Sequence, residues 1–126
     1  MAEFIVKQTD VNIENKILCL MFSDENIIDM VITNGLKSDK FSFSLNQEIF
    51  DELIDIYTDV DCGNIAIVDD INILYDRLKV GDREKDKELL VHINKIKTCN
   101  PNKKHISLYI NKLIELYKQM NKYEHA

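Results

Sequence analysis

The sequence predicts an all-α fold, and three observations carry that reading. Only 3 Gly and 1 Pro occur in 126 residues, too few breakers for a turn-rich β fold. Apolar residues recur at spacings of three and four through most of the chain. Polar residues suited to helix ends precede or follow most of those runs. The expected architecture is a compact head of about six helices with a long C-terminal helix, placed to project as part of a hairpin. Residues 1–103 form the head in this reading, and residues 104–126 the long helix and the possible start of an oligomerisation hairpin.

The first helix is read from "VNIENKILCLMF", with Asp10 as its cap and Val11, Ile13, Ile17, Leu18, Leu20 and Met21 as its apolar residues. "SDENIIDMVITNG" is the second: Ser23 or Asp24 caps it, Ile27, Ile28, Val31 and Ile32 form one face, and Asn34-Gly35 stops it. A strand competes over the β-branched stretch from Ile27 to Ile32, and the two caps favour helix. The third, "SLNQEIFDELIDIYTD", opens on Ser44 with Gln47 three residues on, a capping-box pattern, and puts Ile49, Phe50, Leu53, Ile54 and Tyr57 on one face.

After the Cys62-Gly63 turn, Ile65 to Val68 begin extended, and Val68, Ile71, Leu74, Tyr75 and Leu78 then fit a helix that ends before Gly81. "REKDKELLVHINKIK" is helical with Leu89, Leu90, Ile93 and Ile96 inward, and His92 near that face as a hydrogen-bonded, half-buried histidine. Asn100-Pro101 breaks the chain. The last helix carries Ile106, Tyr109, Ile110, Leu113, Leu116, Tyr117 and Met120. Phe41, Ile49, Phe50 and Leu53 are expected to share a core with Leu18 and Val31.

Composition limits the chemistry. A length of 126 residues favours one domain, and 45% apolar with 30% charged residues is a globular balance. The net charge of −6 matches phosphates poorly, so strong direct nucleic-acid binding is not expected; Lys103, Lys104 and His105 form only a short basic strip. Three scattered cysteines, Cys19, Cys62 and Cys99, fit a reducing compartment. The N-terminal stretch "MAEFIVKQTD" lacks the apolar core of a signal peptide, and the apolar run from Ile17 to Phe22 is too short to cross a bilayer. The expected location is the cytoplasm.

No glycine precedes a Lys-Ser or Lys-Thr at P-loop spacing, so this chain alone is not a P-loop motor. Cys62, His92, Cys99 and His105 lack the close pairing of a zinc site, and the acids at Asp59, Asp61, Asp69 and Asp70 lack the regular spacing of a calcium loop. No catalytic, cofactor-binding or metal-binding residue is expected, and no cofactor.

Four stretches resemble the N-terminal collar domain of DnaB-type replicative DNA helicases, over roughly residues 11 to 118. "NIENKILCLMFSD" is similar to the family opening at Ile13-Glu14 and Ile17-Leu18, with Lys16 in place of an acid and Cys19 in place of glycine. "LKSDKFSFSLNQEIF" keeps the family spacing at Leu36, Phe41, Ile49 and Phe50, while Ser38, Ser42 and Asn46 stand where Pro, Tyr and His are usual. "GNIAIVDDINILYDRL" resembles the segment after a short Gly turn, with Ala66 where Asp is usual. The stretch from Leu89 to Gln119 resembles a helix, an Asn/Pro break and a further helix, with Asn102, Ile106 and Tyr109 in place.

The resemblance implies a non-catalytic module that helps assemble a ring-shaped hexamer and offers a docking surface to primase or a helicase loader. The ATPase of that family lies in a separate domain, so the chain is either a fragment of a longer helicase or a stand-alone relative. Partner-binding residues expected on this basis are Tyr109, Leu113, Leu116, Tyr117 and Met120, on a stripe longer than the head should cover, with self-association to a dimer or part of a hexamer. Two alternatives stand beside it: a small viral helical decoy that binds host apoptosis or signalling proteins, and a stand-alone phage helicase loader. The end of the chain discriminates the first two. A decoy closes its core with the last helix, whereas a collar sends that helix out to a partner.

Overall fold

The computed structural model describes the backbone of residues 2–58 and 71–124, and most side chains between 11 and 118 within those spans. The described residues form six α-helices: α1 (Ala2–Ser23), α2 (Glu25–Thr33), α3 (Ser44–Thr58), α4 (Ile71–Leu78), α5 (Arg83–Lys97) and α6 (Ile106–Glu124), with 3-10 turns at Ser38–Lys40 and Lys103–His105. The all-α class read from the sequence is what forms. The expected extended start at Ile65 to Val68, like Cys62 and the 59–61 and 68–70 acids, lies outside the described residues.

Helix α1 is the centre of the molecule. It packs against α2, α3, α5 and α6. Between Val11 and Phe22 only Asn12 is exposed, so the helix is enclosed on nearly every side rather than amphipathic. Its start differs from the expected one: the backbone is helical from Ala2, and Asp10 lies inside the helix instead of capping it. No Gly or Pro interrupts residues 2–10, so nothing in the local sequence stops the helix from extending.

The short helix α2 is bounded as its end residues dictate. Asp24 accepts from the N–H of Asn26 at 2.9 Å. At the other end Gly35 adopts φ +76, the N–H of Gly35 reaches the Ile32 carbonyl at 3.0 Å, and that of Leu36 reaches Val31 at 3.1 Å. This double closure is a Schellman motif, and it turns Leu36 inward beside Val31, both buried. Ile32 was expected on the inner face; it is 45% exposed, because a nine-residue helix lying on a core can bury only one narrow stripe.

Phe41, Ile49, Phe50, Leu53, Leu18 and Val31 all lie in one buried cluster, and the rings of Phe41 and Phe50 stand 5.0 Å apart, tilted by 42°. The phenylalanine that ends the polar turn is thus held by the Ile-Phe pair at the head of α3. Arg77 on α4 pairs with Glu52 on α3 at 2.9 Å, and Tyr57 on α3 donates to Asp29 on α2 at 2.5 Å. Helix α5 opens on Asp82, which accepts from the N–H groups of Glu84 and Lys85. Leu89, Ile93 and Ile96 of α5 face the core, but Leu90 is 37% exposed, one residue off the stripe that those three define.

Helix α6 makes its largest packing surface with α1. Lys103 pairs with Asp24 near the end of α1, and Lys16 lies over the Tyr109 ring at 5.6 Å, so the two helices run antiparallel. Ile106, Ile110, Leu113 and Leu116 are all buried along this seam. The expected division after residue 103 is therefore not a break in packing: α6 belongs to the same core as the head through Leu116.

Truncation tests this core. Phe50→Ala removes a ring packed on Phe41 and is expected to destabilise by about 3–5 kcal/mol in chemical denaturation. Leu108→Ala, at a position 65% exposed, is expected to change stability by no more than about 0.5 kcal/mol.

Candidate functional site

The feature that stands out chemically is a set of polar side chains buried inside the apolar core. Glu14, Asn15, Asn46 and His92 are the buried polar residues among those described. Each sits on the inner stripe of its own helix. Glu14 is one turn before Ile17 and Leu18, Asn46 one turn before Ile49 and Phe50, and His92 between Leu89 and Ile96.

They form one continuous network. The Ser42 N–H and the Ser42 hydroxyl both donate to Oε2 of Glu14 at 2.8 Å. The Phe43 N–H donates to Oε1 at 3.3 Å, and the Asn46 amide donates to the same oxygen at 3.0 Å. The second amide hydrogen of Asn46 reaches Oδ1 of Asn15 at 3.0 Å. Both amide hydrogens being used, the Asn46 oxygen is left as an acceptor, and it lies 2.6 Å from Nε2 of His92. That requires a proton on Nε2. Burial, and secondarily the positive charge of Lys95, holds His92 below the ordinary histidine pKa, which favours the neutral ring protonated at Nε2.

The network also decides how α3 begins. A capping box between Ser44 and Gln47 was expected. Instead Gln47 donates from its amide to the Phe41 carbonyl at 2.6 Å, and the backbone N–H groups just before the helix are taken by Glu14 from α1. The Gln47 N–H that a capping hydroxyl would serve bonds instead to the Phe43 carbonyl at 3.0 Å, and the Glu14 carboxylate lies at the favourable end of the α3 dipole.

On its outer side the network meets a groove of about 380 Å³ lined by Phe43 and Leu45 on one wall and by Lys87, Glu88, Val91, His92 and Lys95 of α5 on the other. The rings of Phe43 and His92 are 4.9 Å apart.

Of the five residues expected to bind partners, two lie in the core. Leu113 and Leu116 are buried in the α1–α6 seam, so the stripe expected to be left uncovered is covered as far as Leu116. Tyr109 and Tyr117 are half-buried; Lys40 stands over the Tyr117 ring at 4.2 Å. The Met120 side chain lies outside the described residues. The physical reason is that α6 packs against α1 and, toward its end, against the 3-10 turn at Ser38–Lys40.

Cys19 and Cys99 are half-buried free thiols, and burial raises both above the ordinary thiol pKa. Cys19 points its sulfur to the Lys97 carbonyl at 3.7 Å. No group of three metal-ligating side chains occurs among the described residues, and none of the helices is long and apolar enough to cross a membrane.

Comparison with known proteins gives no match to a family model, to a curated protein or to a solved structure.

The network makes two predictions. Glu14→Ala leaves the buried Asn46 amide and the part-buried donors of Ser42 and Phe43 without their acceptor and is expected to cost about 3 kcal/mol in urea denaturation, with Glu14→Gln milder. His92 has a folded pKa below its unfolded value of roughly 6.5, so the unfolded chain binds the proton first as pH falls. Stability should be full above about pH 6.5 and decline below it. The decline should be shallower in His92→Gln, as read from denaturation midpoints across that window.

Proposed function

We propose that this chain is a non-catalytic helical interaction module of the kind that forms the collar of DnaB-type replicative helicases, acting in ring assembly and in docking of primase or a loader. The observation that supports it is the convergence of the stretches that carry the resemblance. Glu14, from the opening stretch, holds Ser42, Phe43 and Asn46, from the second, and Phe41 packs on Phe50. Tyr109, from the last, meets Lys16 of the first. Of the residues that keep the family pattern, Ile13, Ile17, Leu18, Leu36, Phe41, Ile49, Phe50 and Ile106 share one buried cluster, whereas Lys16, Ser42 and Asn46 depart from that pattern.

One observation favours the second reading, a small helical decoy that binds host apoptosis or signalling proteins. Helix α6 closes the core with Ile106, Ile110, Leu113 and Leu116 instead of leaving it. For the collar reading, association must then use surfaces other than the buried part of α6.

A purified primase domain that binds DnaB-type helicases, titrated calorimetrically into the chain, tests the proposal. Saturable binding, with a dimer or larger species of the chain in sedimentation, is expected. A strict monomer at high concentration that ignores primase and loader alike overturns it. Replacing Leu116 and Tyr117 by glutamate is expected to unfold the chain, seen as loss of helical circular dichroism, since Leu116 is only 5% exposed.

A further inference from the structure

The groove beside His92 combines features that the proposed function does not use. Its apolar surface comes from Phe43, Leu45 and Val91, and Val91 is 60% exposed. Lys87 and Lys95 stand on the rim two turns apart, with Glu88 between them, so the ledge is locally cationic on a chain whose net charge is −6. His92 is held from within through Nε2. In the tautomer that the network imposes, its Nδ1 is a bare acceptor on a ring that is 8% exposed, and no described residue donates to it.

We propose that this groove docks a segment of another protein in which an apolar side chain is flanked by acidic residues, with a hydroxyl or amide donor meeting Nδ1 of His92. The apolar side chain seats against Phe43, Leu45 and Val91. Its acidic neighbours meet Lys87 and Lys95, which select the charge of the partner more than they add affinity. The volume is near the low end of the roughly 300–1,000 Å³ typical of ligand sites, room for one or two side chains. A lipid or nucleic-acid surface fits less well, because the ledge holds two lysines and the glutamate between them opposes an anionic sheet. The site is independent of the collar reading, and either can fail alone.

Amide NMR titration of the labelled full chain tests it, with blocked tetrapeptides Ser-Leu-Asp-Glu and Ser-Leu-Lys-Lys as probes. Saturable shifts are expected at Phe43, Leu45, Val91 and Lys95 with the acidic peptide only. The charge reversal Lys87→Glu with Lys95→Glu should weaken that peptide about tenfold and let the basic one bind. Val91→Asp should weaken it as well, and Leu108→Asp, outside the groove, should not. The Nδ1 resonance of His92 should move with the Ser peptide and stay still when Ser is replaced by Ala. Equal response to both peptides, or no saturable shift, overturns the proposal. So do concentration-dependent shifts at the groove without peptide, which assign the face to a second copy of the chain.

Discussion

A carboxylate buried in the core of a small helical protein is costly unless every lone pair finds a donor. Glu14 is fully buried and receives four hydrogen bonds, from the Ser42 N–H and hydroxyl, the Phe43 N–H and the Asn46 amide. Those donors lie at the start of α3, so satisfying the charge fixes where α3 begins and where it sits against α1. The loop before it, with Phe41 at its end, is drawn into the same position, and the Phe41–Phe50 contact follows. Through Asn46 the constraint passes to His92 and so to α5. Three helices distant in sequence are registered by one acidic side chain. Apolar packing alone specifies position loosely, because many hydrophobic arrangements have similar volume; directional hydrogen bonds to a buried charge admit few.

The second constraint is the enclosure of α1. A helix surrounded on nearly every side has to offer apolar groups all round, and Ile13, Ile17, Leu18, Leu20, Met21 and Phe22 do so. Helix α6 packs against α1 and against the 3-10 turn at Ser38–Lys40, and Leu113 and Leu116 are buried. Among the described residues, large apolar side chains stay open to solvent at Ile32 on α2, at Val80, at Leu90 and Val91 on α5, and at Leu108 on α6.

Much of the fold was legible in the sequence. Asp24 and the Asn34-Gly35 pair mark the ends of α2, the stripe Ile49, Phe50 and Leu53 marks the inner face of α3, and Asn100-Pro101 marks the break before α6. Errors occurred where a local pattern competed with a distant residue. Ser44 and Gln47 satisfy the spacing of a capping box, yet the Gln47 N–H bonds to the Phe43 carbonyl and its side-chain amide to that of Phe41, while Glu14 holds the N–H groups just before the helix. Ile32 and Leu90 are apolar and adjacent to the right faces, but each lies one residue off the stripe. A signal for the buried network was present: Glu14, Asn46 and His92 each occupy a position that helical spacing assigns to the apolar side.

The sequence by itself determined the class of the molecule, because helix propensity, periodicity and end residues act over a few positions. It also placed three polar side chains on inward faces. Which of them meet, and that they meet in one network rather than singly with solvent, was decided only by the tertiary structure, since the pairing joins residues 32 and 46 positions apart. The same is true of the last helix. Its stripe of apolar residues is equally suited to a neighbour in the same chain or in another. Packing against α1 and the 3-10 turn at Ser38–Lys40, elements distant in sequence, is what brings that stripe inside as far as Leu116.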